Sequence, residues 1–254
     1  RPGRWTVKRV QERLRTGVII AALEMVAAGG LACAKGDISG PPEKEETPGV
    51  VSLDAPATAP ADSGTLIRIV AVVDSALARD QRSVTFRTSA GHFPGGARET
   101  VAAADSTRTA IAVLSVSLDT GTAVITATAG GGTRRVEVRF VTALPELIDV
   151  TTDQVSVQAG FTGSLQVTAA LRRNPGVPTP GQTVNFEAHA VADTQPRGRF
   201  SSEAGLSDRT GRVTVRFAPA DSVYTGPLVI VSTTPGTTGV LRDSTIVQVV
   251  APPR

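Results

Sequence analysis

Hydrophobic and polar residues alternate along most of this chain, and the alternation has period two. Val84 and Phe86 fall on one face of an extended segment and Thr85 on the other, as a half-buried β-strand requires. The pattern recurs. Ser83-Val84-Thr85-Phe86 is followed by Gly91-His92-Phe93, and Thr183-Val184-Asn185-Phe186 by Gly198-Arg199-Phe200, with the two Val-x-Phe cores 100 residues apart. A repeated strand in a repeated neighbourhood predicts tandem domains.

The first repeat runs over residues 50–142. Its predicted strands are Leu66–Val73, Val84–Phe86, Thr109–Val116, Ala123–Ala127 and Val136–Val141, with a hairpin turn at Gly130-Gly131-Gly132. Val51-Ser52-Leu53 begins it. Ala55 to Pro60 reads as an edge or connection, because proline cannot donate to a ladder. The second repeat, residues 147–250, replays the order with Val155–Val157, Ser164–Leu171, Val184–Phe186, Arg212–Phe217, Leu228–Ser232 and Thr245–Val250. Strands spaced about 8–15 residues apart, without helical periodicity, predict an all-β chain of two β-sandwiches. The junction, Thr142-Ala143-Leu144-Pro145-Glu146, is too short to let them swing freely, so a rod is expected.

The order long strand, Val-x-Phe, Gly-x-Phe, Asp-x-x-Gly and Thr/Ala-rich strand resembles the bacterial Ig-like domains of the invasin and intimin type. In the second repeat, Ser207-Asp208-Arg209-Thr210-Gly211-Arg212-Val213 matches the family's turn. The first repeat departs from it, with Arg108 where the glycine would stand. The resemblance implies two tandem Ig-like Greek-key β-sandwiches. In that family such domains are spacers that present an adhesive tip, or modules of surface proteins; the matching motifs are structural and carry no catalytic residues.

Residues 1–33 read as a secretory signal peptide with a helical apolar part. A basic segment from Arg4 to Arg15 precedes Gly17–Ala32, a 16-residue apolar run interrupted by Glu24, and small residues follow. A spanning helix needs about 20 apolar residues, so a permanent transmembrane anchor is the weaker reading. Gly30-Leu31-Ala32-Cys33 resembles the lipobox of bacterial lipoproteins, with Gly30 where leucine is usual. That resemblance implies lipidation of Cys33 and a membrane attachment through the N-terminal lipid. Ala34 after it implies the outer membrane or cell surface of a double-membraned bacterium. The alternative is an incidental cysteine beside an ordinary cleavage site, and a periplasmic or secreted protein. Residues 34–49, with Ile38 as the one large apolar side chain, cannot bury a core and read as a disordered tether.

Charge narrows the choice of partners. The whole chain carries 26 basic and 23 acidic residues; without residues 1–33, 20 basic and 21 acidic remain. The basicity belongs to the leader, and the body lacks the positive field that nucleic-acid binding requires. No lysine follows Lys44, which excludes a Schiff-base lysine and a lysine–asparagine cross-link in the body. Cys33 is the only cysteine, so no internal disulfide forms.

Catalytic chemistry finds little material. The two histidines, His92 and His189, do not occupy equivalent repeat positions, and neither sits in a metal-ligand or triad pattern. The loop aspartates Asp74, Asp80, Asp119, Asp149, Asp153 and Asp221 lack the dense spacing of a calcium loop and read as turn acids. No enzyme, metal or cofactor is expected. Sugar platforms stack on exposed Trp or Tyr, but Trp5 is in the leader and Tyr224 stands alone; Phe86, Phe93, Phe140, Phe161, Phe186, Phe200 and Phe217 are expected in the core. One asymmetry remains. Four residues separate Phe86 from Gly91, whereas eleven separate Phe186 from Gly198. The longer loop, around Ala188 to Arg197, is the candidate ligand-binding segment, with Ala188, His189, Asp193 and Arg197 as candidate contacts. The Asn174–Gly181 connection, with three prolines, enters the same strand from its other end, so the two segments are expected at opposite poles. Two functions follow: a surface stalk or adhesion module, or an envelope protein that binds a glycan or protein ligand. An enzyme is the least favoured.

Overall fold

The computed structural model describes residues 48–160, 163–192, 195–219 and 223–252. Cys33, the leader, nearly all of the tether, Phe161, Asp193 and Asp221 lie outside them. Among the described residues no helix is long and apolar enough to cross a membrane.

Eight strands build the first sandwich: β1 (Val50–Asp54), β2 (Thr58–Ala61), β3 (Leu66–Val73), β4 (Ser83–Thr88), β5 (Glu99–Ala103), β6 (Thr109–Ser115), β7 (Gly121–Ala129) and β8 (Gly132–Thr142). One sheet has the order β1-β3-β6 and the other β2-β8-β7-β4-β5. The second sandwich comprises β9 (Leu147–Thr152), β10 (Ser156–Gln158), β11 (Leu165–Arg172), β12 (Thr183–Ala190), β13 (Arg199–Phe200), β14 (Ala204–Leu206), β15 (Arg212–Ala218), β16 (Gly226–Gly236) and β17 (Gly239–Val250). Its sheets run β13-β15-β11-β9 and β10-β17-β16-β12-β14. Most consecutive strands cross between sheets in both repeats, as in a Greek-key sandwich, while β4–β5, β7–β8 and β16–β17 stay within one sheet. Each repeat has its own apolar core. Val84, Phe86, Ile69, Ile125 and Phe140 meet in the first, and Val184, Phe186, Val167, Phe217 and Ile230 in the second, all on the inward positions of alternating strands. Full burial of one such side chain is worth about 1.5–3 kcal/mol.

Elements that the sequence reading misses are β9, the two-residue β13, the short β5 and β14, where small residues blur the pattern, and the pairing of Thr58–Ala61. That last segment is a parallel edge strand against Arg139–Thr142, and Pro60 sits there without costing a ladder bond. Pro48 and Gly49, assigned to the tether from sequence, are packed: the Pro48 carbonyl accepts from Gly131 N–H, the Gly49 carbonyl from Asp74 N–H.

The Asp-x-x-Gly turn has the same geometry in both repeats despite the substitution at Arg108. Asp105 Oδ1 accepts from the N–H of Thr107 and Thr109, at 2.8 and 2.9 Å. Asp208 Oδ1 accepts from Thr210 and Arg212 at 2.8 and 2.9 Å. Hydrogen bonds hold both carboxyls below their ordinary 3.8, Asp105 chiefly through Thr107 and Asp208 chiefly through the Arg212 N–H. Arg108 takes φ 66° and Gly211 φ 74°, so the arginine adopts the left-handed conformation usually left to glycine.

The junction is closed by a lock of polar contacts between the sandwiches. Asp62, completely buried, accepts from Gly64 and Thr65 N–H at 3.1 and 2.6 Å, and its other oxygen accepts from Arg173 Nε at 3.1 Å. Arg173 also donates to the Leu144 carbonyl at 2.9 Å and lies 3.6 Å from Glu146. Thr179 Oγ1 donates to the Ala61 carbonyl at 2.6 Å and accepts from Ala143 N–H at 2.8 Å. Val177 and Ser63 exchange two further bonds, and a Cβ on Gly64 would come within 2.6 Å of Pro175. At the rim Arg209 forks onto both oxygens of Asp119, and this pairing holds the Asp119 carboxyl below its ordinary value. The Asn174–Gly181 connection therefore belongs to the joint, at the opposite end of β12 from the 191–198 loop.

Two outcomes test this account. Arg108→Gly should stabilise the protein by about 0.5–1 kcal/mol, since relief of left-handed strain exceeds the entropy glycine brings. Gly211→Ala should cost about 2 kcal/mol, because its Cβ would stand 2.6 Å from the Leu171 carbonyl oxygen. Urea midpoints of the two variants check both signs. Arg173→Met leaves Asp62 buried without a countercharge and should cost about 3 kcal/mol, much of it recovered in Asp62→Asn/Arg173→Met, as chemical unfolding of the single and double variants would show.

Candidate functional site

β12 has eight residues where its counterpart β4 has six. It pairs with β14 only from Thr183 to Asn185. Beyond that point the returning chain takes over the open edge. Phe186 N–H donates to the Glu203 carbonyl and Arg197 N–H to the Ala188 carbonyl, both at 2.8 Å, while His189 bridges to Pro196. Ala188, His189 and Ala190 thus belong to a strand rather than to the loop expected from sequence, and Ala188 points into the core. Alternation had the information: Val184, Phe186, Ala188 and Ala190 are the inward set, and Asn185, Glu187 and His189 the outward one.

Between these outward side chains and the returning chain lies a cleft of about 610 Å³, lined also by Arg197, Arg199, Phe200 and Glu203. Its aromatic base is fixed. The Phe200 ring lies 5.8 Å from Phe186 and 5.0 Å from Phe217, centroid to centroid. The Arg197 guanidinium stands 4.5 Å from the centroid of the Tyr224 ring, and Tyr224 Oη donates to the Pro227 carbonyl at 2.8 Å. Tyr224, a lone residue by sequence, thus packs against Arg197 beside the cleft without lining it.

The cleft places His189 and Arg197 near each other and adds Glu187, Arg199 and Glu203, which sequence reasoning did not single out. It holds both charge signs, amide groups and an aromatic edge, a set suited to hydrogen-bonded recognition of a polar ligand. His92 lies in the other sandwich, where its backbone pairs with Ser115. Among the described residues no group of three or more His, Cys, Asp or Glu could hold a metal ion.

The fold and the cleft define a tandem Ig-like β-sandwich protein without a built metal centre among the described residues. No protein-family model matches the chain, and no curated protein matches it. Solved structures do. The chain is similar to invasin, a bacterial integrin-binding protein, with a TM-score of 0.57 and 19% identity over 80% of this chain and 40% of that one. It is also similar to the Yersinia pseudotuberculosis adhesin InvE (TM-score 0.42, 16% identity, 78% of this chain and 58% of that one). A third is the Escherichia coli adhesin FdeC (TM-score 0.40, 18% identity, 80% and 66%). At such identities the likeness is one of fold, and it is the invasin match that carries it.

Gly198 sets the position of the cleft floor. Its φ is 79°, and a Cβ there would come within 2.5 Å of the Phe217 ring. Gly198→Ala should cost about 2 kcal/mol and displace Phe200. Gly181→Ala, with similar φ but nothing near the added carbon, should cost about 1 kcal/mol. Urea titrations that gave the two variants equal midpoints would contradict the packed floor.

Proposed function

We propose that the chain is an exported surface protein of a bacterium, tethered to the outer membrane through lipid on Cys33, whose two Ig-like domains (residues 50–142 and 147–250) act as a stiff stalk or adhesion module. It spaces or binds rather than catalyses. The single observation that supports it is the locked joint. A spacer must transmit orientation along the chain, and the buried Asp62–Arg173 pair with the Thr179 bridge couples one sandwich to the next. The fold shared with invasin, an integrin-binding protein, supports a surface role of the adhesion kind. The anchoring part rests on Gly30-Leu31-Ala32-Cys33 and on the residue after it.

A second reading has its own support. The cleft beside His189 and Arg197 sits at the end of the second sandwich remote from the joint, and its mixed polar and aromatic lining fits an envelope protein that takes a glycan or protein ligand.

Intact mass of the full chain, expressed with its leader in a lipoprotein-processing bacterium beside Cys33→Ser, tests the anchored reading. The expected product begins at Cys33 and carries acyl mass that is missing from the variant; cleavage without acyl mass defeats the lipid anchor. Retention on a glycan and matrix-protein array, lost in Glu187→Ala/Arg199→Ala, would favour the second reading over the stalk.

A further inference from the structure

The two repeats also differ just after the Gly-x-Phe motif. Thr100 opposes Phe86 and lies seven residues after Phe93, whereas Glu203, opposite Phe186, lies three residues after Phe200. The first repeat therefore carries four extra residues at this place. They form the loop Pro94-Gly95-Gly96-Ala97. Phe93 N–H donates to the Ala97 carbonyl at 2.8 Å and Gly96 N–H to the Phe93 carbonyl at 3.1 Å, which closes the loop on itself. Gly95 and Gly96 take φ 77° and 78°, a left-handed pair that residues with side chains would resist. The loop ends in Arg98. The second repeat folds without it, so the fold itself does not call for it.

This loop borders a groove of about 400 Å³ at the joint. Ser63, His92, Arg98 and Ser117 line it from the first sandwich and Arg209 from the second. Its free charge is positive. Arg98 forms no ion pair among the described residues. His92 bonds to Ser115 through its backbone, which leaves the ring to offer an N–H. The acids nearby are engaged: Asp62 is buried with both oxygens occupied, Asp119 takes the fork of Arg209, and Asp208 holds its own turn. Arg209 spends two of its five N–H groups on Asp119 and keeps three. Ser63 Oγ accepts from Val177 N–H at 2.9 Å, so its own hydrogen is left to donate.

We propose that this groove is a binding subsite for an acidic saccharide, with one sulfate or carboxylate of the sugar held by Arg98 and His92 of the first sandwich and Arg209 of the second. The lining selects that class. Among the described residues no Phe, Tyr or Trp lines the groove, so a neutral sugar has no ring to stack on and charge-assisted hydrogen bonds supply the attraction. A peptide main chain finds no open ladder there: His92 and Ser115 exchange their backbone bonds, and the Thr65 carbonyl takes the Val116 N–H. The volume falls within the range of about 300–1,000 Å³ usual for small-ligand sites. Because Arg209 reaches in from across the joint, the subsite is complete only while the joint is closed. It is separate from the cleft beside His189 and Arg197 and does not depend on a ligand there.

Isothermal titration of a chondroitin sulfate hexasaccharide into the full chain bearing Cys33→Ser tests the proposal, beside maltohexaose as a neutral sugar and hexaglutamate as an acidic peptide. The expected result is binding of the sulfated sugar in preference to the other two. Arg98→Ser/Arg209→Ser should weaken it about tenfold or more, and Arg135→Ser, which removes an exposed arginine from the outer face of β8, less than about twofold. Absence of binding by the sulfated sugar overturns the proposal, as does a preference for hexaglutamate. So does an equal loss in Arg135→Ser, the mark of a general charge effect. A complex indifferent to Arg98→Ser/Arg209→Ser also overturns it, since the sugar then sits elsewhere, as on the basic leader. Should the double variant fail to fold, Arg98→Gln alone decides: weakened binding supports the subsite, and unchanged affinity refutes it.

Discussion

The buried ion pair between Asp62 and Arg173 is the contact on which the relation of the two sandwiches depends. A carboxylate fully removed from water is costly unless its oxygens are occupied and its charge is matched. Here two backbone N–H groups, one hydroxyl and one guanidinium do both. Arginine suits the position because its fork reaches the carboxylate and the Leu144 carbonyl together, where a point-charge lysine would serve one. The acid comes from the first sandwich and the base from the second, so the buried Asp62 finds its countercharge only across the joint, while Arg173 also has Glu146 3.6 Å away. This ties the junction to folding and makes the short linker a joint with one geometry.

The repeats then show what the fold demands and what it leaves free. Both need the Asp-anchored turn, and the first keeps it with Arg108 in a strained conformation because the hydrogen bonds to Asp105 over-determine the loop. Gly211 has no such latitude, since Leu171 and Val177 press on it. Where the fold does not demand a residue, the repeats diverge, as in the longer β12 and the cleft beside it in the second sandwich.

The alternation of Val, Ile and Phe with polar residues made nearly every long strand legible, and the 100-residue repeat made the tandem arrangement so. The resemblance of the Val-x-Phe, Gly-x-Phe and Asp-x-x-Gly order to invasin-type domains agrees with the fold found. The short β5 and β14 escaped because small side chains carry little periodic contrast, and β9, although it alternates, was passed over because it follows directly on the junction. The joint escaped for another reason. Asp62 and Arg173 lie 111 residues apart, and no local pattern joins an acid in a turn to one member of an Arg-Arg pair. Of the candidate site, His189 and Arg197 were visible through loop length, while Glu187 and Arg199 required the return path of the chain.

A distance distribution between two spin labels, at Glu137→Cys and Thr214→Cys in the full chain with Cys33→Ser, tests the locked joint most directly. Both sites are solvent-exposed and lie one on each sandwich. The account predicts a single narrow distance that broadens when Arg173→Met is introduced. A distribution already broad in the parent chain, and indifferent to that substitution, would contradict it.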